Sequence, residues 1–205
     1  MNKYVRAAVC LPCGAVKMLW TKLFHIVGFK APLICLVSPH TEITMDYGAK
    51  LTIGKRFKMR DGAKIRVRKG GVCKIGRNTS INSNNMIACH ESVIIGDNCQ
   101  FSPNVQIYDH DHDFHAEGGI AAMKYKTAPV RIGNNVWIGA NTVILRGTEI
   151  GDNCVIGAGS VIKGKFEADS VIIQKRETLI KQGEPCSIIA TVDSVEAEKS
   201  EEVKK

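Results

Sequence analysis

The apolar positions of this chain recur every sixth residue over its second half: Ile132, Ile138, Ile144, Ile150, Ile156 and Ile162. A helix repeats every 3.6 residues and a strand every two, so neither produces this spacing. Four residues after the first five isoleucines stand Val136, Thr142, Thr148, Cys154 and Ser160, all of small or modest size. Glycine follows four of the isoleucines, at Gly133, Gly139, Gly151 and Gly157. Short strands meeting at regular corners satisfy this pattern. The aliphatic points into a narrow interior, the small residue fits beside the next corner, and Gly, Asn and Asp supply backbone that tolerates positive φ. The rhythm runs earlier with defects, through Ile53, Met59, Ile65, then Ile75, Ile81, Ile87, then Ile95, Phe101, Ile107. Its phase slips near residues 69–73 and 90–94. The prediction is an all-β stack of coils over about 120 residues, each coil burying its aliphatic edge against its neighbours.

Three segments follow. Residues 1–40 form an N-terminal amphipathic or cap segment, 41–175 the coil domain with a loop insertion at 113–128, and 176–205 a C-terminal extension whose polar tail is too poor in apolar residues to pack. Over 16–27, Val16, Leu19, Trp20, Leu23, Ile26 and Val27 fall on one helical face, with Lys17 and Lys22 off it. That stripe predicts a helix covering the open end of the stack, or else an amphipathic helix resting on the inner membrane surface. Pro12, Gly14 and Lys17 interrupt the apolar run, which predicts no membrane-crossing segment.

A length of 205 residues suits one domain with appendages, and an aromatic content of 6% suits a thin core of stacked Ile and Val. The net charge of +8 draws on a basic stretch from Lys50 to Lys74 that includes Arg56, Arg60, Arg66, Arg68 and Lys69. These are either outward strand positions kept charged or a face for anions. No interleaved aromatics or known reading motif accompany them, which argues against a nucleic-acid partner. Cys99 and Cys154 occupy the inward small position, so the cysteines read as buried free thiols of a cytoplasmic protein. Residues 159–165 (GSVIKGK) imitate a phosphate-binding loop, but Phe166 stands where Ser or Thr is needed.

The chemistry concentrates where the repeat breaks. His110, His112 and His115 lie within six positions, interleaved with Asp109, Asp111 and Asp113, and a long excursion follows. Long excursions on a rigid scaffold are usually functional. On extended backbone His110 and His112 share one side and the carboxylates the other. A carboxylate beside an imidazole fixes its tautomer and raises its basicity, as a general base requires. The same residues also suit a metal cluster, or a solvated corner with no role. His25, His40 and His90 stand alone in the sequence and read as surface or packing residues.

The stretches IGDNCQFSPNVQIYDHDH and PVRIGNNVWIGANTVILRGTEIGDNCVIGAGSVI resemble the hexapeptide-repeat acyltransferases, over about residues 53–176. Within that family the chain is similar to galactoside, maltose and capsule or lipopolysaccharide O-acetyltransferases. The resemblance implies a left-handed parallel β-helix and a homotrimer with active sites between subunits. It implies acetyl-CoA lying along the coils, a saccharide acceptor, and no metal. Counting from the shared IGDN at Ile95, it places the catalytic histidine at His112, with His110 as the fallback. It places the acceptor-side asparagine at Asn82, the tryptophan beside the cofactor at Trp137, and the thioester-facing backbone N–H at Ala140. Ala158 falls along the pantetheine arm, and Lys163, Lys165 and Arg176 near the cofactor's phosphates and adenine. The implied reaction is acetyl transfer to a sugar hydroxyl in cell-surface polysaccharide synthesis, in the cytoplasm or at the inner face of the membrane. The rival on the same fold is a zinc enzyme of the γ-carbonic-anhydrase kind.

Overall fold

The computed structural model describes residues 2–175. The extension expected over 176–205, Arg176 included, lies outside the described residues. The chain winds into a parallel β-helix of three sheets, two of seven strands and one of six, with a small two-stranded antiparallel sheet on the excursion. Successive strands go to successive sheets, so the period of six becomes one edge of a triangular coil. Ile132, Ile150 and Phe166 align in the first sheet. Ile138 and Ile156 align in the second, and Ile144 and Ile162 in the third. Upstream the third-sheet ladder continues as Ile43, Ile65, Ile87 and Ile107. The small residues fill the interior as their size predicts: Val136, Thr142, Thr148, Cys154 and Ser160 are all buried. Every cysteine among the described residues is free.

The corners explain the glycines and asparagines. Asn78, Asn98, Asn135 and Asn153 all take φ between 54° and 59°. Their amides bond coil to coil, Asn78 to Asn98 at 3.0 Å and Asn135 to Asn153 at 3.1 Å. Asparagine tolerates this left-handed backbone better than other side chains do. The phase slips fall at the corner between the third and first sheets. There the first two coils insert a turn, with Gly48 and Gly70 at φ 77° and 78°. The third coil crosses directly at His90 and Glu91, and the fourth leaves on the long excursion.

Coil strands begin at Phe29–Lys30, paired with Leu51 and Thr52. Ahead of them runs α1 (Lys3–Phe24), whose N-cap Asn2 side chain accepts from the Tyr4 N–H. The helix packs on the first strands of two sheets, Phe29–Lys30 and Leu36–Val37. The stripe named from the sequence is not the face that packs. Cys10, Gly14, Met18 and Thr21 are buried, whereas Val16, Leu19, Trp20 and Leu23 are exposed. The absence of a side chain at Gly14 lets the helix approach the coils closely, and Met18 joins the core. The expectation of no membrane-length segment is also corrected: Tyr4–Phe24 is long and apolar enough to cross a bilayer by length and composition. Pro12 lies inside the helix without ending it.

Candidate functional site

The excursion springs from Asp109, the first residue after the strand Gln106–Tyr108. It returns at Ala128, whose N–H donates to the Asp109 carbonyl oxygen at 2.9 Å and closes the neck. It therefore starts ahead of the histidines, not after His112. His110–His112 pairs antiparallel with Tyr125–Thr127, with His110 opposite Thr127 and His112 opposite Tyr125. A short 3₁₀ turn, Gly119–Ala122, lies between. The insertion is thus a hairpin flap, and it carries exposed Phe114, Ile120 and Met123.

Asp109 is fully buried. In a regular corner, backbone N–H groups bond carbonyls of the next coil; here that coil has departed. The Asp109 carboxylate takes its place, accepting from the N–H groups of His90, Glu91 and Ser92 at 2.8–3.0 Å. Burial by itself would raise its pKa. The bonds from His110 and from the three N–H groups outweigh burial and hold the carboxyl below the ordinary aspartate value. An ionised carboxylate only accepts, so Nδ1 of His110, 3.2 Å from Oδ1, carries the proton. The lone pair of a neutral His110 then sits on Nε2, as a proton acceptor needs.

His90 does not stand alone, contrary to the sequence reading. Its ring stacks on His110 with centroids 3.6 Å apart and planes 26° apart. The signal was present: His90 precedes His110 by one coil, as Ile87 precedes Ile107. Burial first, then the His110 neighbour, pulls the His90 pKa below 6.5. Tyr125 caps the group, with its ring 4.4 Å from His90 and 4.7 Å from His112. Both His110 and His112 lie against Tyr125, while Asp111 turns to Arg146, whose Nε donates to it at 2.5 Å. Lys126 pairs with Asp113 at 3.0 Å. An open cleft of about 610 Å³ adjoins the three imidazoles, with Tyr108, Arg68 and Lys69 on its walls. The His90 and His110 rings lie in nearly parallel planes. Among the described residues no group of three or more His, Cys, Asp or Glu is placed to hold a metal.

The other sequence-nominated residues lie elsewhere. Trp137 is in a second-sheet strand, exposed, with Nε1 donating to Ser102 Oγ at 3.2 Å. Asn82, Ala140 and Ala158 all lie in the connections between the second and third sheets. The Asn82 side chain accepts from the Ser83 N–H at 2.9 Å. The Ala140 carbonyl accepts from Gly159 at 2.7 Å. Lys163 follows a third-sheet strand, on the corner of the histidines but in a later coil. Lys165 Nζ pairs with Glu149 at 3.1 Å. One chain therefore gathers His110, His112 and His90 at one corner and aligns Asn82, Trp137, Ala140 and Ala158 along another.

Residues 129–164 match the family model described as bacterial transferase hexapeptide (six repeats). The chain is 37% identical over 124 residues to the galactoside O-acetyltransferase of Escherichia coli K12, across 60% of this chain and 56% of that protein. It thus spans little more than half that relative's length. It is 30% identical over 140 residues to WbbJ of the same organism, a protein assigned to lipopolysaccharide biosynthesis as an O-acetyl transferase, across 64% of this chain and 71% of WbbJ. Among solved structures, AntD, an N-acyltransferase from Bacillus cereus, superposes with a TM-score of 0.61 at 20% identity, covering 91% of this chain and 97% of AntD. That last likeness is one of fold.

Proposed function

Because the chain belongs to the hexapeptide-repeat family of bacterial transferases, we propose that it moves an acetyl group from acetyl-CoA to a hydroxyl of a saccharide in cell-surface polysaccharide or lipopolysaccharide synthesis. The observation that carries this reading is the corner itself, where imidazoles and a buried, ionised carboxylate border an open cleft. The names of the relatives supply the donor and acceptor classes: galactoside and lipopolysaccharide O-acetyl transfer, and AntD in complex with 3-hydroxybutyryl-CoA.

In this reading an imidazole takes the proton of the sugar hydroxyl as its oxygen attacks the thioester. The Ala140 N–H meets the charge developing on the thioester oxygen, Asn82 orients the acceptor, and CoA leaves as the thiolate or recovers the proton. His112 is the base that the family resemblance nominates. One observation favours His110 instead, namely the Asp109 contact that leaves its Nε2 free to accept. The cofactor lies along the row of Trp137, Ala140 and Ala158, with Lys163 and Lys165 toward its phosphates.

The placing of that row and the histidines at different corners of one chain supports a complete site formed between copies of a homotrimer; left-handed coils and a cytoplasmic location belong to the same proposal and rest on the family resemblance. The test is CoA release by purified protein over a panel of hydroxyl and amino sugars. Loss of the base lowers the rate about 10²–10⁴-fold. His112→Ala and His110→Ala, assayed side by side, assign the role to whichever shows the larger loss. Wild-type rates in both variants would overturn the mechanism.

A further inference from the structure

Among the described residues, nothing covers the outer face of α1. The inner face is fastened: Lys17 Nζ donates to the carbonyl oxygens of Pro39 and Thr41. A Cβ on Gly14 would lie only 2.5 Å from the Cys35 carbonyl oxygen. Opposite runs Val5, Val9, Val16, Leu19, Trp20 and Leu23, between 42% and 66% exposed. Their spacings of three, four and seven or so keep them on one side of the helix. Just past the helix, Ile26 and Val27 are exposed as well. Exposed apolar surface this continuous marks an interaction site.

Within the N-terminal segment itself the charges have one sign. Residues 1–41 contain Lys3, Arg6, Lys17, Lys22 and Lys30, and no Asp or Glu. We propose that α1 docks flat on an anionic lipid bilayer, its outer side chains in the acyl boundary and Arg6 and Lys22, which flank them, toward the headgroups. A second copy of this face is a poor occupant, since two such surfaces would bring cations together with no carboxylate between them. Crossing the bilayer would strip the buried face from the coils and break the Lys17 bonds, so the helix lies in the plane of the interface. The inference does not depend on the acetyl-transfer reading.

The experiment uses the full chain with vesicles of phosphatidylcholine plus phosphatidylglycerol, and of phosphatidylcholine alone. Co-sedimentation is expected with the mixed vesicles. It should weaken at least about fivefold without the anionic lipid, the contribution of a single basic residue near the surface. Trp20→Ser combined with Leu23→Ser should weaken it roughly tenfold or more while leaving the unfolding midpoint in place, because both side chains are exposed. Lys22→Glu should remove part of the preference for anionic lipid. No co-sedimentation, or unaltered binding by the double variant, overturns the proposal. So does a change in sedimentation coefficient of the double variant without any vesicle binding, which would assign the face to self-association.

Discussion

Asp109 stays ionised in a dry place because three backbone N–H groups and an imidazole converge on it. Asparagine in its position keeps one acceptor oxygen and loses the charge. Asp109→Asn should therefore lower stability by about 1–3 kcal/mol in urea unfolding. The sign of the pH dependence follows from the depressed pKa. The carboxylate's contribution is complete above the ordinary value of 3.8 and is lost as pH falls through the lower folded value, so wild type and variant should converge in acid. His90 acts one step out, as a flat support under His110. Such a contact is worth about 0.5–1.5 kcal/mol. His90→Ala should then reduce CoA release roughly 2- to 10-fold, and His90→Phe, which keeps a ring, should restore most of it. A merely structural role would lower the fraction folded and leave the pH profile of the remaining activity unmoved. A supporting role shifts that profile.

At the scale of elements, the corners leave little room for an added side chain. Gly139 starts the connection that holds Ala140, and a Cβ there would meet the Ala158 backbone nitrogen at 2.5 Å. Backbone cannot swing aside as a side chain can. Gly139→Ala should destabilise by about 1–3 kcal/mol, read from the denaturant midpoint. The hairpin flap behaves differently, since it is anchored by its neck and by pairing of His110–His112 with Tyr125–Thr127. Replacing residues 114–123 with a short turn leaves those anchors in place. If the flap borders the proposed acceptor, acceptor choice should change in the sugar panel while the KM for acetyl-CoA stays nearly constant; an unchanged acceptor profile would count against that place for it.

Along the described coils, each pairs strand by strand with its neighbours. Ile107 sits in the middle of the third-sheet ladder and is wholly buried. Ile107→Ala should cost about 2–5 kcal/mol, seen in the unfolding midpoint. The separation of histidines from the Trp137 row makes a sharper prediction for the proposed trimer. His112→Ala and Asn82→Ala chains, each inactive alone, should regain activity when refolded together, because a site between copies can draw one intact residue from each. Random mixing would restore roughly a quarter of the sites. If no activity returns, the two residues do not share a site across an interface.

The period of six was enough to determine coils, inward isoleucines, small corner fillers and that an excursion follows Tyr108, because each is a short-range consequence of strand parity and backbone sterics; it did not show that the hairpin begins at Asp109. The candidate histidines His110 and His112 were legible for the same reason: they mark the break in the rhythm. Three things were decided only in three dimensions. His90 joins the site because one coil of winding carries it beneath His110. Asp109 is a structural acceptor because the coil that would have bonded those N–H groups is missing at that corner. The buried face of α1 is Cys10, Gly14, Met18 and Thr21, because the backbone at Gly14 lies too close to the Cys35 carbonyl oxygen to admit a side chain, and that approach seats Met18 in the core. Residues distant along the chain set all three, and a local pattern does not register contacts between successive turns of the coil.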